Sequence, residues 1–451
     1  MKKLKIAFLG AGSGFILSVA RELGKNPFFG DCELAMTDPL PDRRDIALKT
    51  VAELFGSPEC INRNIRISVS GENAAALDGA DYVISSCEPK RYPNWYRDLA
   101  IPEQFGCFQV KGENGGPGGI IHALRNMAMF ENIARDMKKW CPEALLLNFT
   151  NPMSFLCTYM KNYTDVRTIG FCHQVHGSFG VISEMLGYEP DELEVISAGV
   201  NHLNWLFDIR HKNSRESCMK EFIEKISTSK YWNEPQKVIS SQVFTLEVLK
   251  TFRMYPIGYD DHIIEYMPFF WEKAEWAEHG VEALTEEYHT LAEKGNHSLE
   301  IQRLWGKEVV KPEFPRDPNH PYYAENPCKV IEALERNIPA YFDAVNIPNH
   351  GAVGNLPPHV ILDVPGIVVG GEVRSIHVGE LPPGPLEICR RQTALHEMLA
   401  QAFHERDANL VEQIFCLTPY VRSITQARQI WRAYYEEYKE YLPDFHSVWK
   451  I

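Results

Sequence analysis

The stretch Ile6-Ala7-Phe8-Leu9-Gly10-Ala11-Gly12-Ser13-Gly14-Phe15 constrains what this chain can fold into more than any other. A short apolar run breaks into closely spaced glycines, and a helical pattern opens near Ser13. Such glycines let the backbone turn sharply and let a ligand approach the N–H groups at a helix N-terminus, where a dinucleotide pyrophosphate sits. Phe15 stands where a third glycine is usual, so the fingerprint is imperfect. Asp38 ends the next apolar run, and a carboxylate there suits ribose hydroxyls and repels a 2′-phosphate, which favours NAD over NADP. Gly10, Gly12, Ser13, Gly14, Phe15 and Asp38 are therefore the candidate cofactor-binding residues. A tight strand-to-helix turn followed by a surface aspartate is the plain structural alternative.

Four further apolar runs, at residues 32–37, 81–86, 144–148 and 166–172, alternate with helical stretches up to about residue 200. That alternation predicts βαβ units and a doubly wound parallel sheet. Beyond residue 201 the texture changes to longer amphipathic segments, for example 236–252 and 392–415, with a strand-like stretch at 359–369. The expected α/β architecture is an N-terminal Rossmann domain over residues 1–200, followed by a helix-rich α+β lobe over 201–451.

With 451 residues, 45% of them hydrophobic, the chain can bury a large core without staples. Its 11 cysteines show no paired CxxC spacing, so reduced thiols are expected rather than disulfides or a structural zinc. A net charge of -14 without a basic run argues against nucleic acid or an anionic membrane as partner. Met1-Lys2-Lys3 leads straight into the first apolar run with no signal-peptide pattern, so a cytoplasmic protein is expected.

The sequence Ile101-Pro102-Glu103-Gln104-Phe105-Gly106, followed by Gly112-Glu113-Asn114-Gly115-Gly116-Pro117-Gly118-Gly119, resembles a loop of family 4 glycoside hydrolases. Four more blocks follow in family order. They are Asn148-Phe149-Thr150-Asn151-Pro152-Met153, Gly170-Phe171-Cys172-His173-Gln174-Val175, Gly199-Val200-Asn201-His202, and Asn346-Ile347-Pro348-Asn349 with Gly354-Asn355-Leu356-Pro357. Each is short, but their order behind a dinucleotide loop is specific.

The resemblance implies a glycosidase that uses NAD and Mn2+ or another divalent metal. Its matching Cys172 and His202 would hold the metal, and these residue types suit a borderline ion with open positions. Read without it, Cys172 is a packed thiol and His202 a hydrogen-bonded core histidine. The implied reaction oxidises the sugar at C3, removes the C2 proton, eliminates the leaving group, adds water and re-reduces the ketone. Family 4 is accordingly an exception to the two-carboxylate rule of glycoside hydrolysis. Asp260, in Gly258-Tyr259-Asp260-Asp261-His262, matches the family's base, with Tyr259 and then Asp261 as alternatives and a solvated acidic turn as the structural reading. His173 is the candidate leaving-group acid, or else structural. Asn151 matches a sugar-binding residue, although Asn-Pro is also a common turn.

Phospho-sugar members of the family hold phosphate with an arginine just upstream of the Ile-Pro block, and Trp95 stands there instead. An unphosphorylated, α-linked glycoside is therefore expected, a galactoside or uronide first. Lys90, Arg91 and Arg97 could pair with a uronate or simply lie on the surface. The resemblance also implies a homodimer or homotetramer, a lactate/malate dehydrogenase-like arrangement of the two lobes, and a second lobe that serves substrate, metal and oligomerisation. A lactate/malate-type NAD-dependent dehydrogenase is the first rival reading, and a non-enzymatic NAD-binding sensor the second.

Overall fold

The computed structural model of the chain describes residues 3–229, 242–269, 271–294 and 327–447. Five strands, β1 (Lys5–Leu9), β2 (Glu33–Thr37), β3 (Arg66–Ser70), β4 (Tyr82–Ser85) and β5 (Leu145–Asn148), precede the short β6 (Thr168–Gly170). All six are joined in parallel in the order β3-β2-β1-β4-β5-β6. The order reverses beside β1, which is the doubly wound arrangement expected from the alternating apolar runs. Alternation of side chains along β1 explains its burial on both faces. Ile6 and Phe8 enter one apolar core, while Ala7 and Leu9 enter the other.

The sheet does not stop at β6. It continues through β10 (Ala340–Pro348), β11 (Ile361–Val369), β7 (Leu193–Val200), β8 (Leu203–His211) and β9 (Pro256–Ile257), all antiparallel, with β12 (Glu372–Ser375) on β11. The expected division at residues 200 and 201 falls in the turn between β7 and β8, so the two regions share a hairpin and one sheet.

Helices cover both faces. The helix Phe15–Lys25 begins two residues later than the glycines suggested, with Gly14 at its N-cap. The expected helix over 392–415 is two helices, Pro383–Glu405 and Ala408–Leu417. Arg406 ends the first at φ 60°, and the Asp407 carboxylate accepts N–H bonds from Asn409 and Leu410 to start the second. The apolar periodicity runs through this break, which is why it concealed the cap. Of the amphipathic segment 236–252, residues 236–241 lie outside the described residues and Val243–Phe252 is helical. Among the described residues no helix is long and apolar enough to cross a membrane.

Candidate active site

The glycine loop forms as its sequence requires. Gly10 has φ 95°, and a Cβ there would meet Ser86 O at 2.3 Å. Gly12 donates its N–H to Asp38 Oδ2 at 2.9 Å, and a Cβ on Gly12 would lie 2.8 Å from that same oxygen. The other Asp38 oxygen accepts Leu40 N–H, so the buried carboxylate is oriented by backbone and each oxygen keeps a lone pair for a hydroxyl. Ser13 Oγ pairs with Ser86 Oγ at 2.8 Å. Phe15 stacks on Phe149 at 4.3 Å and extends to Phe8, an aromatic packing that accounts for the missing third glycine.

A second group of side chains gathers at the carboxyl edge of the sheet. Cys172 follows β6, and His202 sits in the two-residue turn between β7 and β8; Cys172 Sγ lies 3.1 Å from His202 Nε2. His202 has φ 67°, a conformation that costs a non-glycine residue on the order of 1 kcal/mol and is held only where its surroundings demand it. Its Nδ1 is 2.8 Å from the Asn114 side-chain amide. The atom facing it is Asn114 Nδ2, which donates, so Nδ1 accepts and the neutral ring carries its proton on Nε2 beside the thiol; an ion at Nε2 would require the Asn114 amide to turn its oxygen to Nδ1.

Two elements complete the group. The loop before the helix Gly116–Trp140 supplies Lys111, Glu113 and Asn114, and the short helix Asp260–Tyr266 supplies Asp261, His262 and Glu265. Glu265 Oε1 accepts the backbone N–H of Glu113 and of Asn114, which clamps the loop to the helix. Its other oxygen, Oε2, lies 3.1 Å from His262 Nδ1. Lys111 Nζ is 2.8 Å from His262 Nε2 and 2.7 Å from Asp261 Oδ2. An ammonium can only donate, so His262 is neutral, with its proton on Nδ1 toward Glu265. The ligand atoms of Glu113, His202 and His262 lie within 4.8 Å of one another.

Electrostatics favour a cation here. Burial alone would raise the Glu113 carboxyl, but the Arg91 and Lys111 cations hold it well below its ordinary range. Burial lowers His202, so its imidazole is uncharged. A thiol, an imidazole lone pair and an ionised buried carboxylate form a donor set that fits a borderline divalent ion. His262 Nε2 already accepts from Lys111, so Cys172, His202 and Glu113 are the three that would ligate.

The other expected residues are distributed around this group. Asn151 is half-buried, and its Oδ1 has no hydrogen-bond partner among the described residues. His173 follows Cys172 and is exposed. Asp260 Oδ1 accepts from both the N–H and the hydroxyl of Thr245, and the Tyr259 hydroxyl donates to Gly177 O. Of the three base candidates, Asp261 is the one that touches Lys111, and Tyr288 donates to it as well. Trp95 is buried with its indole N–H on Lys111 O. Arg91 bridges Glu88 and Glu113, while Lys90 and Arg97 pair on the surface with Glu440 and Glu437. Lys111, Glu113 and Tyr288 had been given no role from sequence. Glu113 lay inside a quoted glycine-rich block, and only the fold brings Lys111 and Tyr288 to it.

Residues 5–188 match the model of the family 4 glycosyl hydrolases, and residues 197–421 match the model of their C-terminal domain. The chain belongs to glycosyl hydrolase family 4. Within the family, it is 28% identical over 433 residues to an alpha-galactosidase of Bacillus subtilis (strain 168), covering 94% of this chain and 95% of that protein. It is also 28% identical over 441 residues to an alpha-galacturonidase of the same organism, covering 94% of each. A family-wide fold is seen in a 6-phospho-alpha-glucosidase from gut microorganisms, solved in complex with NAD and Mn2+. That structure has a TM-score of 0.76 and 19% identity, covering 99% of this chain and 100% of the other. Membership makes the family 4 chain a glycoside hydrolase and displaces the dehydrogenase and sensor readings.

Proposed function

We propose that this glycoside hydrolase cleaves a non-phosphorylated, α-linked glycoside, a galactoside or galacturonide first, using NAD and a divalent ion such as Mn2+. The observation that carries the reading is Cys172 Sγ at 3.1 Å from His202 Nε2, beside a glycine loop with Asp38 turned onto it. The relatives named alpha-galactosidase and alpha-galacturonidase support the substrate class. Trp95 supports the absence of a phosphate, because its indole N–H is spent on Lys111 O and it brings no cation.

When bound, NAD takes up and returns a hydride, and the ion withdraws electron density from the sugar oxygens. Cys172, His202 and Glu113 would hold the ion, and Gly10, Gly12, Ser13, Gly14, Phe15 and Asp38 would line the cofactor. Asn151 Oδ1, without a partner among the described residues, accepts from a sugar hydroxyl. Asp260 removes the proton at C2. Asp261 is the poorer base, because Lys111 holds its carboxyl low against the effect of burial. His173 protonates the leaving oxygen.

The division into a cofactor region over 1–200 and a substrate, metal and oligomerisation region over 201–451 is part of the proposal, as is a homodimer or homotetramer. A cytoplasmic location fits the 11 unpaired cysteines. The test is release of p-nitrophenol from a panel of p-nitrophenyl glycosides and glycosiduronic acids under reductant, with and without NAD and Mn2+. Release that needs both, with no net NADH, supports the reading. Release indifferent to NAD after bound cofactor is stripped sinks it.

A further inference from the structure

Five residues paired across strands run in one line through the antiparallel part of the sheet. They are Gly170 on β6, Asn346 on β10, Asp363 on β11, Gly199 on β7 and Asn204 on β8. Directly paired residues project to the same face, so Asn346, Asp363 and Asn204 share one. All three are buried. The two glycines open the row. A Cβ on Gly199 would meet Asn204 Oδ1 at 3.2 Å, and one on Gly170 would meet Asn346 Cβ at 2.9 Å.

Asn201, also buried, lies two residues beyond Gly199 and joins the row. Burial is the larger influence on Asp363 and pushes its carboxyl up to about 7, while Asn201, His176 and Asn204 act in the opposite direction. None of the side-chain oxygens and nitrogens of Asn201, Asn204, Asn346 and Asp363 has a well-aligned hydrogen-bond partner among the described residues. The row sets these groups beside one another, and Asn201 and Asn204 lie near enough to Asp363 to draw its carboxyl down. A buried polar row of this kind weakens a core unless it fixes something. Both ends of the site rise from it: Gly170 leads through Phe171 to Cys172, and Gly199 leads through Val200 and Asn201 to His202.

We infer that Asp363 is a positioning residue, which grips Asn201 and Asn204 on either side of His202 and so holds the imidazole in its left-handed turn with Nε2 toward Cys172. The turn has other ties, since Tyr266 donates its hydroxyl to Asn201 O and Ser154 Oγ accepts Asn201 N–H. Those fix the backbone of Asn201, whereas Asp363 reaches the side chains flanking the histidine. The inference rests on the reading of Cys172 and His202 as metal ligands.

The experiment is Mn2+ binding to the NAD-saturated protein, read from the free-ion EPR signal, for the wild type, His202→Ala, Asp363→Ala and Asp363→Asn. His202→Ala should abolish binding; wild-type affinity in that variant overturns the ligand reading and the inference with it. Asp363→Ala should weaken Mn2+ about 10- to 100-fold, the usual effect of losing an orienting partner behind a ligand. Asp363→Asn, which keeps the shape and a hydrogen-bonding oxygen, should stay within about threefold of wild type. Loss in His202→Ala together with wild-type affinity in folded Asp363→Ala overturns the positioning role alone. Should Asp363→Ala not fold, Asn204→Ala carries the same expected loss, and wild-type affinity there overturns the role equally.

Discussion

Lys111 Nζ lies 2.7 Å from Asp261 Oδ2, with the two side chains 9% and 4% exposed. The pair joins the loop that carries Glu113 to the helix that carries His262, and Tyr288 closes it from a third element. Removing one partner leaves a buried charge without compensation. Lys111→Met should therefore cost about 3–5 kcal/mol of stability in urea unfolding. Lys111→Met combined with Asp261→Asn should recover at least about 1 kcal/mol of that loss. Additive losses in the double variant would mean that the two residues are not coupled.

In the proposed metal site Cys172 is the soft donor. Cys172→Ser should lower kcat/KM by at least about 100-fold at low Mn2+. Raising Mn2+ should restore part of it, because His202 and Glu113 remain. A kcat/KM curve against Mn2+ that superimposes on that of wild type would remove Cys172 from the metal site.

Asp260 and Asp261 are adjacent and differ in what they touch. Asp260→Asn should reduce kcat about 10²- to 10⁴-fold with little change in KM, the usual range for a lost general base. It should also stop exchange of a C2 deuteron with solvent. Asp261→Asn should act mainly on stability. The opposite pattern of kcat effects would make Asp261 the base.

His396 is buried edge-on against Phe155, 4.3 Å between centroids, and burial lowers it to about 3. Its folded value lies below the ordinary 6.5, so the unfolded chain takes up the proton first as pH falls. The histidine costs no stability above about pH 6.5, and stability drains between there and pH 3 at about 1.4 kcal/mol per pH unit. His396→Leu should reduce the slope of unfolding free energy against pH by about one proton over that window. An unchanged slope would show that His396 is not the group responsible.

Much of this protein is legible without its structure. Local patterns are enough for β1, the glycine loop and Asp38, because strand, turn and helix start are set by neighbours in the chain. Cys172 and His202 stand out in the same way, each at the end of an apolar run within a short motif. The break at Arg406 and Asp407 was missed because one apolar stripe spans both helices, and a single cap decides where the first ends.

What the sequence by itself determined is therefore the parallel half of the sheet, the glycine loop with Asp38 after it, and the short motifs that carry Cys172 and His202, all products of short-range patterning. Only the tertiary structure decided that the sheet continues antiparallel through β10, β11, β7, β8 and β9, since strand pairing depends on contacts between residues far apart in the chain. It likewise decided that Lys111, Glu113, His262 and Tyr288 meet, and that Asp363 lies in one row with Asn204 and Asn346. The reason is the same in each case. Burial makes a charge or amide seek its partner across the fold, and nothing in the spacing of residues 111, 261 and 288 announces that they will be neighbours.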